Sequence, residues 1–322
     1  MKYRRLGRTG VQVSEIVFGA GWVGGILIHG DDATKRAALR KAFDGGINWI
    51  DTASSYGQGK SEEALGWLLK EFTETPYLST KFRLEGEVDV AGQIRRSVEA
   101  SLKRLQRDKV DLLQLHNPIA AQAGGAGPSG GAVTPRTALL AAETMDRLRA
   151  EGLTRWIGFT ALGEAPALRD AVASGRFDTA QVYYNMLNPS AGRRVPGGDF
   201  GNLLEACRRQ DVGVLNIRVM AAGVISTDVR HGREAPITLN ADIAAEERRA
   251  RLVFEALGEL DCTRAQAAIR FCLGHPGVAG ALLGAAELSH IDEALAAVEM
   301  GPLPAEKLAK LDRLYETDFG RL

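Results

Sequence analysis

Segments typical of strands alternate with segments typical of helices along almost the whole chain, and this alternation restricts the fold more than any other feature. Strict alternation implies parallel strands joined by crossover helices, and eight such units predict closure into a barrel. The sequence therefore predicts the α/β class and a single (β/α)8 TIM barrel over residues 1–322, with an N-terminal hairpin and additional C-terminal helices. The predicted strands are residues 15–19, 47–51, 77–81, 110–116, 155–160, 179–185, 212–219 and 280–284. The predicted helices are residues 34–44, 61–72, 91–105, 136–150, 166–174, 200–210, 246–258 and 263–273, followed at the C-terminus by 288–298 and 304–315.

Two segments interrupt this rhythm. Residues 117–135 are rich in glycine, alanine and proline, and residues 222–245 are polar without clear periodicity. Both are long for barrel connections, where about 2 to 6 residues is usual. Because each follows the end of a predicted strand, we expect both to form long loops over the C-terminal mouth, where barrel active sites lie.

Charge, cysteine content and the N-terminus exclude several classes of partner. The chain has 40 basic and 40 acidic residues, which gives no electrostatic reason to expect nucleic acid or an anionic membrane surface. Its five histidines show no metal-ligand spacing, so we expect no metal. No apolar signal core or run approaching the ~18 residues of a membrane span is present, which predicts a cytoplasmic location. The cysteines match no zinc or redox motif and are expected to be reduced core thiols: Cys207, Cys262 and Cys272.

Three glycines after the first predicted strand match the dinucleotide-binding pattern G-x-G-x-x-G: Gly19, Gly21 and Gly24. That pattern functions only when its third glycine opens a helix, because the pyrophosphate binds the free N–H groups of that helix. Here the first credible helix cap is Asp31 or the residue after it, and the flanking glycines oppose an earlier helix. We therefore interpret the stretch as a glycine-rich loop and not as a Rossmann unit.

Polar side chains end three consecutive predicted strands. The second ends in Asp51, the third in Lys81 and the fourth in His116. Each alone has a structural explanation, as a loop cap, a solvent-reaching lysine or a buried histidine. Because the carboxyl ends of barrel strands meet at one rim, an acid, an amine and an imidazole in register predict a functional site.

Tyr56 lies just beyond the second predicted strand. It forms Tyr-x-x-x-Lys with Lys60, a spacing that requires a helix to stack the two side chains. The two glycines between them oppose a helix, and Ser61 is a better helix N-cap. Lys81 is therefore the expected partner of Tyr56.

This set of side chains suits protonation of a carbonyl oxygen. A phenol is a poor acid at neutral pH, and an adjacent ammonium improves it by stabilising the phenolate. Asp51 would keep Lys81 charged, and His116 would share a hydrogen bond with the substrate oxygen. A Schiff-base aldolase that uses Lys81 as nucleophile is the rival chemistry, although it leaves Tyr56 without a role.

The segments MKYRRLGRTGVQVSEIVFG, INWIDTASSYGQGKSEEALGWLL, STK and DLLQLHN resemble the aldo-keto reductases in order and spacing. The resemblance implies a catalytic tetrad of Asp51, Tyr56, Lys81 and His116. It also implies a nicotinamide cofactor bound in extended form across the barrel mouth and reversible reduction of an aldehyde or ketone. Hydride would pass to the carbonyl carbon, and Tyr56 would donate the proton.

The resemblance further implies a set of cofactor contacts. Gln181 matches the glutamine that binds the carboxamide, Thr160 keeps the hydroxyl of a Ser-Asn pair whose amide is lost, and Ile217 stands where relatives carry an aromatic residue. Arg218 would bind a phosphate or pair with a buried acid. The full set of implied contacts is Gly21, Asp51, Thr160, Gln181, Ile217, Arg218, Met220, Gly284, Ala285, Ala286, His290 and Glu293.

The adenosine end determines the choice of cofactor. His290 would face the adenine or the 2'-phosphate, and Glu293 would bind the adenine amine. Relatives selective for NADP(H) carry arginine, lysine or serine where this chain has Ala286 and Glu287, and Glu287 would repel a 2'-phosphate. NADP(H) is the family default, and NAD(H) is plausible.

The substrate would be a small-molecule carbonyl compound in a pocket formed by Trp22, Tyr56, His116 and Asn117. Potassium-channel β subunits that resemble this family suggest another function, in which the barrel and its cofactor act as a redox sensor. The intact tetrad favours the enzyme. The sequence carries no signal of oligomeric state, because an exposed apolar patch can be located only in a structure.

Overall fold

Eight parallel strands close into a barrel in the computed structural model, which describes residues 1–125, 130–196, 198–229 and 243–320. An antiparallel hairpin of β1 (Tyr3–Arg5) and β2 (Gln12–Ser14) precedes the barrel. Pairing of the last strand with the first barrel strand completes the closure, which confirms the predicted fold class. The barrel strands are β3 (Ile16–Gly19), β4 (Trp49–Asp51), β5 (Tyr77–Phe82), β6 (Val110–Leu115), β7 (Thr154–Ala161), β8 (Thr179–Tyr183), β9 (Gly213–Ile217) and β10 (Gly280–Gly284).

Every predicted helix has a counterpart in the described ranges, and the last two are the additional C-terminal helices. Their buried residues recur at helical spacing and pack on the outer face of the barrel, as expected for crossover helices. The helices are α1 (Ile26–His29), α2 (Asp32–Asp44), α3 (Lys60–Leu68), α4 (Val90–Leu105), α5 (Pro135–Ala150), α6 (Ala165–Ala173), α7 (Leu203–Arg209), α8 (Ile243–Leu257), α9 (Arg264–Leu273), α10 (Leu288–Met300) and α11 (Ala305–Glu316).

The loop after β3 contains one helical turn that the sequence analysis did not predict. Gly25, with φ +68°, caps α1, although the flanking glycines were expected to oppose a helix there. The next prediction is confirmed, because the Asp31 side chain accepts the Thr34 N–H at 2.7 Å and caps α2. The single turn of α1 does not make a Rossmann unit, since its strand belongs to a closed barrel.

The prediction that Ser61 caps the next helix is wrong. α3 begins one residue earlier, with Gly59 as its N-cap at φ +95°. Ser61 is fully buried within the first turn, and its hydroxyl donates to the Ala20 carbonyl at 2.9 Å and contacts the Thr52 hydroxyl at 2.7 Å. Burial overrides the local capping preference here, because Ser61 ties α3 to the ends of β3 and β4.

The glycines of the G-x-G-x-x-G pattern bring backbone against backbone inside the protein. A methyl group on Gly24 would lie 2.4 Å from the Gly284 carbonyl carbon, and one on Gly19 would lie 2.6 Å from the Leu282 side chain. A methyl group on Gly21 would meet only the Tyr56 ring, at an ordinary 3.5 Å. The glycines of this stretch were expected to let the backbone approach cofactor and substrate closely. In the structure, Gly19 and Gly24 are required for packing against β10.

The described cysteines are free thiols, and Cys207 and Cys272 are buried, which confirms their assignment to the core. Cys262 is only partly buried. Burial raises the pKa of the Cys207 thiol to about 12, so this thiol is inert as a nucleophile. Among the described residues, no helix has the length and apolar character needed to cross a bilayer.

A buried ion pair fastens α3 to α4 and to the strand that carries Lys81. Glu62 is fully buried, and its carboxylate lies 2.7 Å from the Arg104 guanidinium while accepting the Thr80 hydroxyl at 2.5 Å. The absence of a side chain at Gly59 leaves room for the Arg104 side chain, since a methyl group there would lie 2.7 Å from Arg104 Cδ.

Replacing Arg104 with methionine is expected to lower the free energy of unfolding by about 3 kcal/mol, because a buried carboxylate is left uncompensated. Urea unfolding followed by circular dichroism measures the change. Arg107→Met is the matched control, since Arg107 is exposed on the chain just after α4, and it should alter stability by less than about 0.5 kcal/mol. Equal losses in the two variants would contradict a structural role for the pair.

Candidate active site

The side chains predicted to converge at the strand ends meet at the C-terminal end of the barrel. Asp51 ends β4, Lys81 lies in β5, His116 follows β6, and Tyr56 begins a 3-10 turn beyond β4. Lys81 Nζ donates to Asp51 Oδ2, to the Thr52 carbonyl at 2.9 Å and to the Tyr56 hydroxyl at 3.2 Å. The rings of Tyr56 and His116 meet edge to face, with centroids 5.7 Å apart.

The turn after Tyr56 explains how its phenol reaches Lys81. Gly57 and Gln58 both take left-handed backbone conformations, with φ +58° and +56°. Tyr56 and Lys60 therefore do not stand one turn apart on a regular helix, and Lys60 begins α3 instead. The reversal turns the phenol toward the barrel rim, where Lys81 Nζ lies 4.8 Å from the ring centroid.

Asp51 receives more hydrogen bonds than the sequence analysis predicted. The Ser79 hydroxyl donates to its Oδ1 at 2.6 Å, Gln181 Nε2 at 2.6 Å and Gln114 Nε2 at 3.1 Å. These donors fix the orientation of the carboxylate that pairs with Lys81. The sequence reasoning missed Ser79 and Gln114.

A sequence signal for these two residues exists. Ser79 stands two residues before Lys81, and Gln114 stands two residues before His116. Residues i and i+2 of a strand face the same side, so a polar residue two positions before a predicted catalytic one points into the barrel beneath it.

Burial and neighbouring charge set the protonation states of the two basic groups. Burial alone would lower the pKa of Lys81, but the Asp51 carboxylate and the Tyr56 hydroxyl outweigh it and raise that pKa above its ordinary value. Burial, together with the positive charges of Lys81 and Arg83, lowers the pKa of His116 well below its ordinary value. Lys81 is therefore an ammonium and His116 a neutral imidazole at physiological pH.

A cavity of about 760 Å³ opens above this cluster. Asp51 and Lys81 lie beneath it and are buried, whereas the phenol and the imidazole face it. Most of the predicted cofactor and pocket residues line its wall: Gly21, Trp22, Tyr56, His116, Thr160, Gln181, Ile217, Arg218, Met220, Gly284, Ala286, His290 and Glu293. Of the long loop predicted at 222–245, Ser226, Thr227 and Val229 also line the wall, and residues 230–242 lie outside the described ranges.

Three of the predicted contact residues do not line this cavity: Asp51, Asn117 and Ala285. Asn117 is fully buried behind the wall, where its amide bonds the backbone of Leu84 and Gly131. Ala285 is also buried, and its carbonyl accepts the Ile26 N–H at 3.1 Å. Asn117 directly follows His116, and adjacent residues at a strand end face opposite sides.

The residues near Tyr56 fit the carboxamide of a nicotinamide. Thr160 Oγ1 is buried and has no hydrogen-bond partner within the described chain, although Thr160 lines the cavity. Gln181 is its register partner on β8 and gives Nε2 to Asp51, which leaves Oε1 as an acceptor. A carboxamide has both a donor and an acceptor and would satisfy these two groups. Ile217, at the end of β9, supplies an apolar wall beside them.

Among the described residues, the adenosine end of the cavity has few cations. His290 Nδ1 accepts the Ala286 N–H at 3.3 Å, which leaves Nε2 as a donor toward a ligand. Glu293 accepts a hydrogen bond from the Thr263 hydroxyl, and Glu287 is exposed on the cavity wall. Arg218 lines the cavity in a left-handed conformation with φ +60°. Burial lowers the pKa of Arg218, and the nearby Tyr183, Tyr56 and Glu246 act in the opposite direction. Arg218 can therefore serve either to bind a phosphate of the cofactor or to pair with a buried acid.

The comparisons with known proteins agree with this geometry over nearly the full length. L-galactose dehydrogenase of Arabidopsis thaliana is 27% identical over 98% of this chain and 95% of its own. A probable voltage-gated potassium channel subunit beta of Arabidopsis thaliana is 28% identical over 94% of this chain and 93% of its own. The crystal structure of an aldo-keto reductase from Klebsiella pneumoniae in complex with NADPH has a TM-score of 0.70 and 25% identity, and the match covers 98% of this chain and 95% of that one.

The family model described as the Aldo/keto reductase family matches residues 15–316, a range that includes the whole barrel and all of the residues discussed above. The similarity seen in the short motifs thus extends over nearly the whole chain. The chain belongs to the aldo/keto reductase family.

Proposed function

We propose that this protein catalyses reversible, nicotinamide-dependent reduction of an aldehyde or ketone to an alcohol. The observation that carries the proposal is the 3.2 Å contact between the Tyr56 hydroxyl and Lys81 Nζ at the floor of the cavity. A phenol held against a buried ammonium is an acid that can donate to a ligand oxygen in the cavity.

Tyr56 donates its proton to the carbonyl oxygen of the substrate. The Lys81 ammonium stabilises the phenolate that remains, and Asp51 holds that ammonium in place. The neutral His116 imidazole, edge to face with Tyr56, donates a hydrogen bond to the same oxygen. The bound nicotinamide supplies the hydride, and Gln181 with Thr160 orients its carboxamide.

NADP(H) is the proposed cofactor, because the Klebsiella relative is in complex with NADPH and this chain has the groups to hold a nicotinamide. NAD(H) stays a candidate, since the wall near the expected 2'-phosphate carries Ala286 and Glu287 in place of cations. His290 and Arg218 are lining residues that are able to donate to a phosphate.

We expect only weak discrimination between the two cofactors, and Glu287→Arg should shift the preference toward NADP(H) by very roughly ten- to a hundredfold, the value of one charge-assisted hydrogen bond. Dissociation constants for NADPH and NADH, from quenching of protein fluorescence, measure it. Glu306→Arg makes the same charge change on exposed α11 and should leave the ratio unaltered. A wild-type preference for NADPH above about a hundredfold would contradict this prediction and assign the phosphate to Arg218 or another cation.

A cofactor-binding redox sensor is the second candidate function, and the similarity to a potassium channel subunit beta favours it. A Schiff-base aldolase is less well supported, because attack on a carbonyl requires an uncharged amine and Lys81 is a buried, ion-paired ammonium.

Activity assays with a panel of aldehydes and ketones distinguish these functions. Each compound is tested with NADPH and with NADH, and oxidation of the reduced cofactor is followed by its absorbance. Multiple turnovers with at least one carbonyl support the reductase. Tight cofactor binding with at most slow turnover on every carbonyl supports the sensor. A borohydride-trapped adduct on Lys81 without cofactor oxidation supports the aldolase.

A further inference from the structure

A cationic side chain that the catalytic proposal does not use lines the cavity beside the phenol and the imidazole. Arg83 stands two residues after Lys81 and one residue after the end of β5. Residues i and i+2 of an extended chain face the same side, so Arg83 continues the inward face of β5 upward into the cavity. It is half-buried and lines the wall together with Tyr56 and His116.

The segment that carries Arg83 is held by the buried amide of Asn117. Asn117 Oδ1 accepts the Leu84 N–H at 2.8 Å, and its Nδ2 donates to the Leu84 carbonyl at 2.9 Å and to the Gly131 carbonyl at 2.9 Å. A methyl group on Gly130 would lie 3.5 Å from Arg83 Cδ. Gly130, in the loop after β6, therefore lies close to the aliphatic part of the Arg83 side chain.

Charge is distributed unevenly around the cavity. Among its lining residues in the described part of the chain, the carboxylates are Glu287 and Glu293, both at the adenosine end on and next to α10. At the catalytic end, the charge of Lys81 is balanced by Asp51, and His116 is neutral. Arg83 and Arg218 are cationic residues of the described wall outside the Lys81–Asp51 pair, and the electrostatic influence of each reaches Tyr56.

We propose that Arg83 binds a carboxylate of the substrate, so that this enzyme prefers carbonyl compounds that bear a carboxylate group a few atoms from the carbonyl. The planar guanidinium matches a carboxylate with two parallel hydrogen bonds. This inference rests on the proposed reductase function, which supplies the reaction of the carbonyl.

The test compares 4-carboxybenzaldehyde with its neutral analogue, methyl 4-formylbenzoate. We expect the wild-type protein to have the larger kcat/KM with the acid. In Arg83→Gln the acid-to-ester ratio of kcat/KM should fall by roughly 10- to 100-fold, the value of a charge-assisted contact. Arg83→Lys keeps the positive charge but lacks the planar guanidinium, so its acid-to-ester ratio should lie between those of the wild type and Arg83→Gln. Arg107→Gln removes the same charge far from the mouth and should leave the ratio unchanged.

An acid-to-ester ratio that stays within about threefold of the wild type in Arg83→Gln overturns the inference. So does a wild-type preference for the ester. If no carbonyl of the panel is reduced, the proposed function fails. In that case, or if only these two aldehydes are not reduced, calorimetric titration with benzoate tests Arg83 alone. Benzoate binding that is weakened at least tenfold in Arg83→Gln supports the carboxylate site without any turnover, and equal binding refutes it. If Arg83→Gln does not fold, the same comparisons apply to Arg83→Lys.

Discussion

Tyr56→Phe is expected to lower turnover about 10²- to 10⁴-fold, the usual contribution of a general acid, with little change in cofactor affinity. The phenol is the group that can deliver a proton to a ligand in the cavity, because Lys81 and Asp51 lie buried beneath it. Steady-state kinetics with the best carbonyl of the panel measures the loss, and fluorescence quenching by the cofactor measures binding.

Folding is not expected to confound this experiment. The Tyr56 hydroxyl contacts Lys81 Nζ at 3.2 Å, and Lys81 keeps its bonds to Asp51 and to the Thr52 carbonyl when that hydroxyl is removed. The urea midpoint should therefore shift only slightly. A variant that retains more than about a tenth of the wild-type rate would show that another group supplies the proton.

Lys81→Met is expected to abolish measurable reduction and also to destabilise the fold. Without the ammonium the phenolate that forms during proton transfer is unsupported, and the buried Asp51 carboxylate loses its counter-ion. Removal of one partner from a buried ion pair costs about 3 to 5 kcal/mol. Loss of activity in this variant alone therefore does not separate catalysis from folding.

The double variant Asp51→Asn/Lys81→Met separates the two effects. It removes both charges, so most of the stability lost in Lys81→Met should return, because replacement of a whole buried pair is close to neutral. Its reduction rate should stay as low as that of the single variant. Recovery of activity together with stability would mean that Lys81 acts only through the fold.

The shifted pKa values of Lys81 and His116 predict how the stability of the fold changes with pH. The pKa of Lys81 is raised in the folded protein, so its contribution to stability is complete below the pKa of an unfolded lysine and is lost as pH rises through the higher folded value. The pKa of His116 is lowered, so the neutral imidazole costs stability as pH falls below the ordinary histidine value.

The barrel could be predicted from the sequence because its signals are local. The period of the apolar residues identifies each strand and helix within its own segment, and eight alternations leave few arrangements other than closure. The site of Asp51, Lys81 and His116 could be predicted for a similar reason, because a residue at the C-terminal end of a barrel strand lies at the mouth of the barrel.

Side-chain direction depends on neighbours that are distant in sequence. Asn117 follows His116 directly, yet it turns away from the cavity and bonds Leu84 on the preceding strand's loop. Ser61 has the chemistry of a helix cap, and burial against Ala20 gives it another role. For Ser61, the tertiary contact outweighs a local capping preference of about 1 kcal/mol.

The sequence by itself determined the closed eight-stranded barrel, the strand ends that carry the polar residues and the pairing of Tyr56 with Lys81 in place of Lys60. The tertiary structure alone decided that Ser79 and Gln114 bond Asp51, that Gly24 packs against β10, and that Arg83 enters the cavity wall. The reason is physical: hydrophobic periodicity acts within one segment, whereas hydrogen bonds and close approaches join atoms from strands about thirty residues or more apart, and those arise only once the barrel closes.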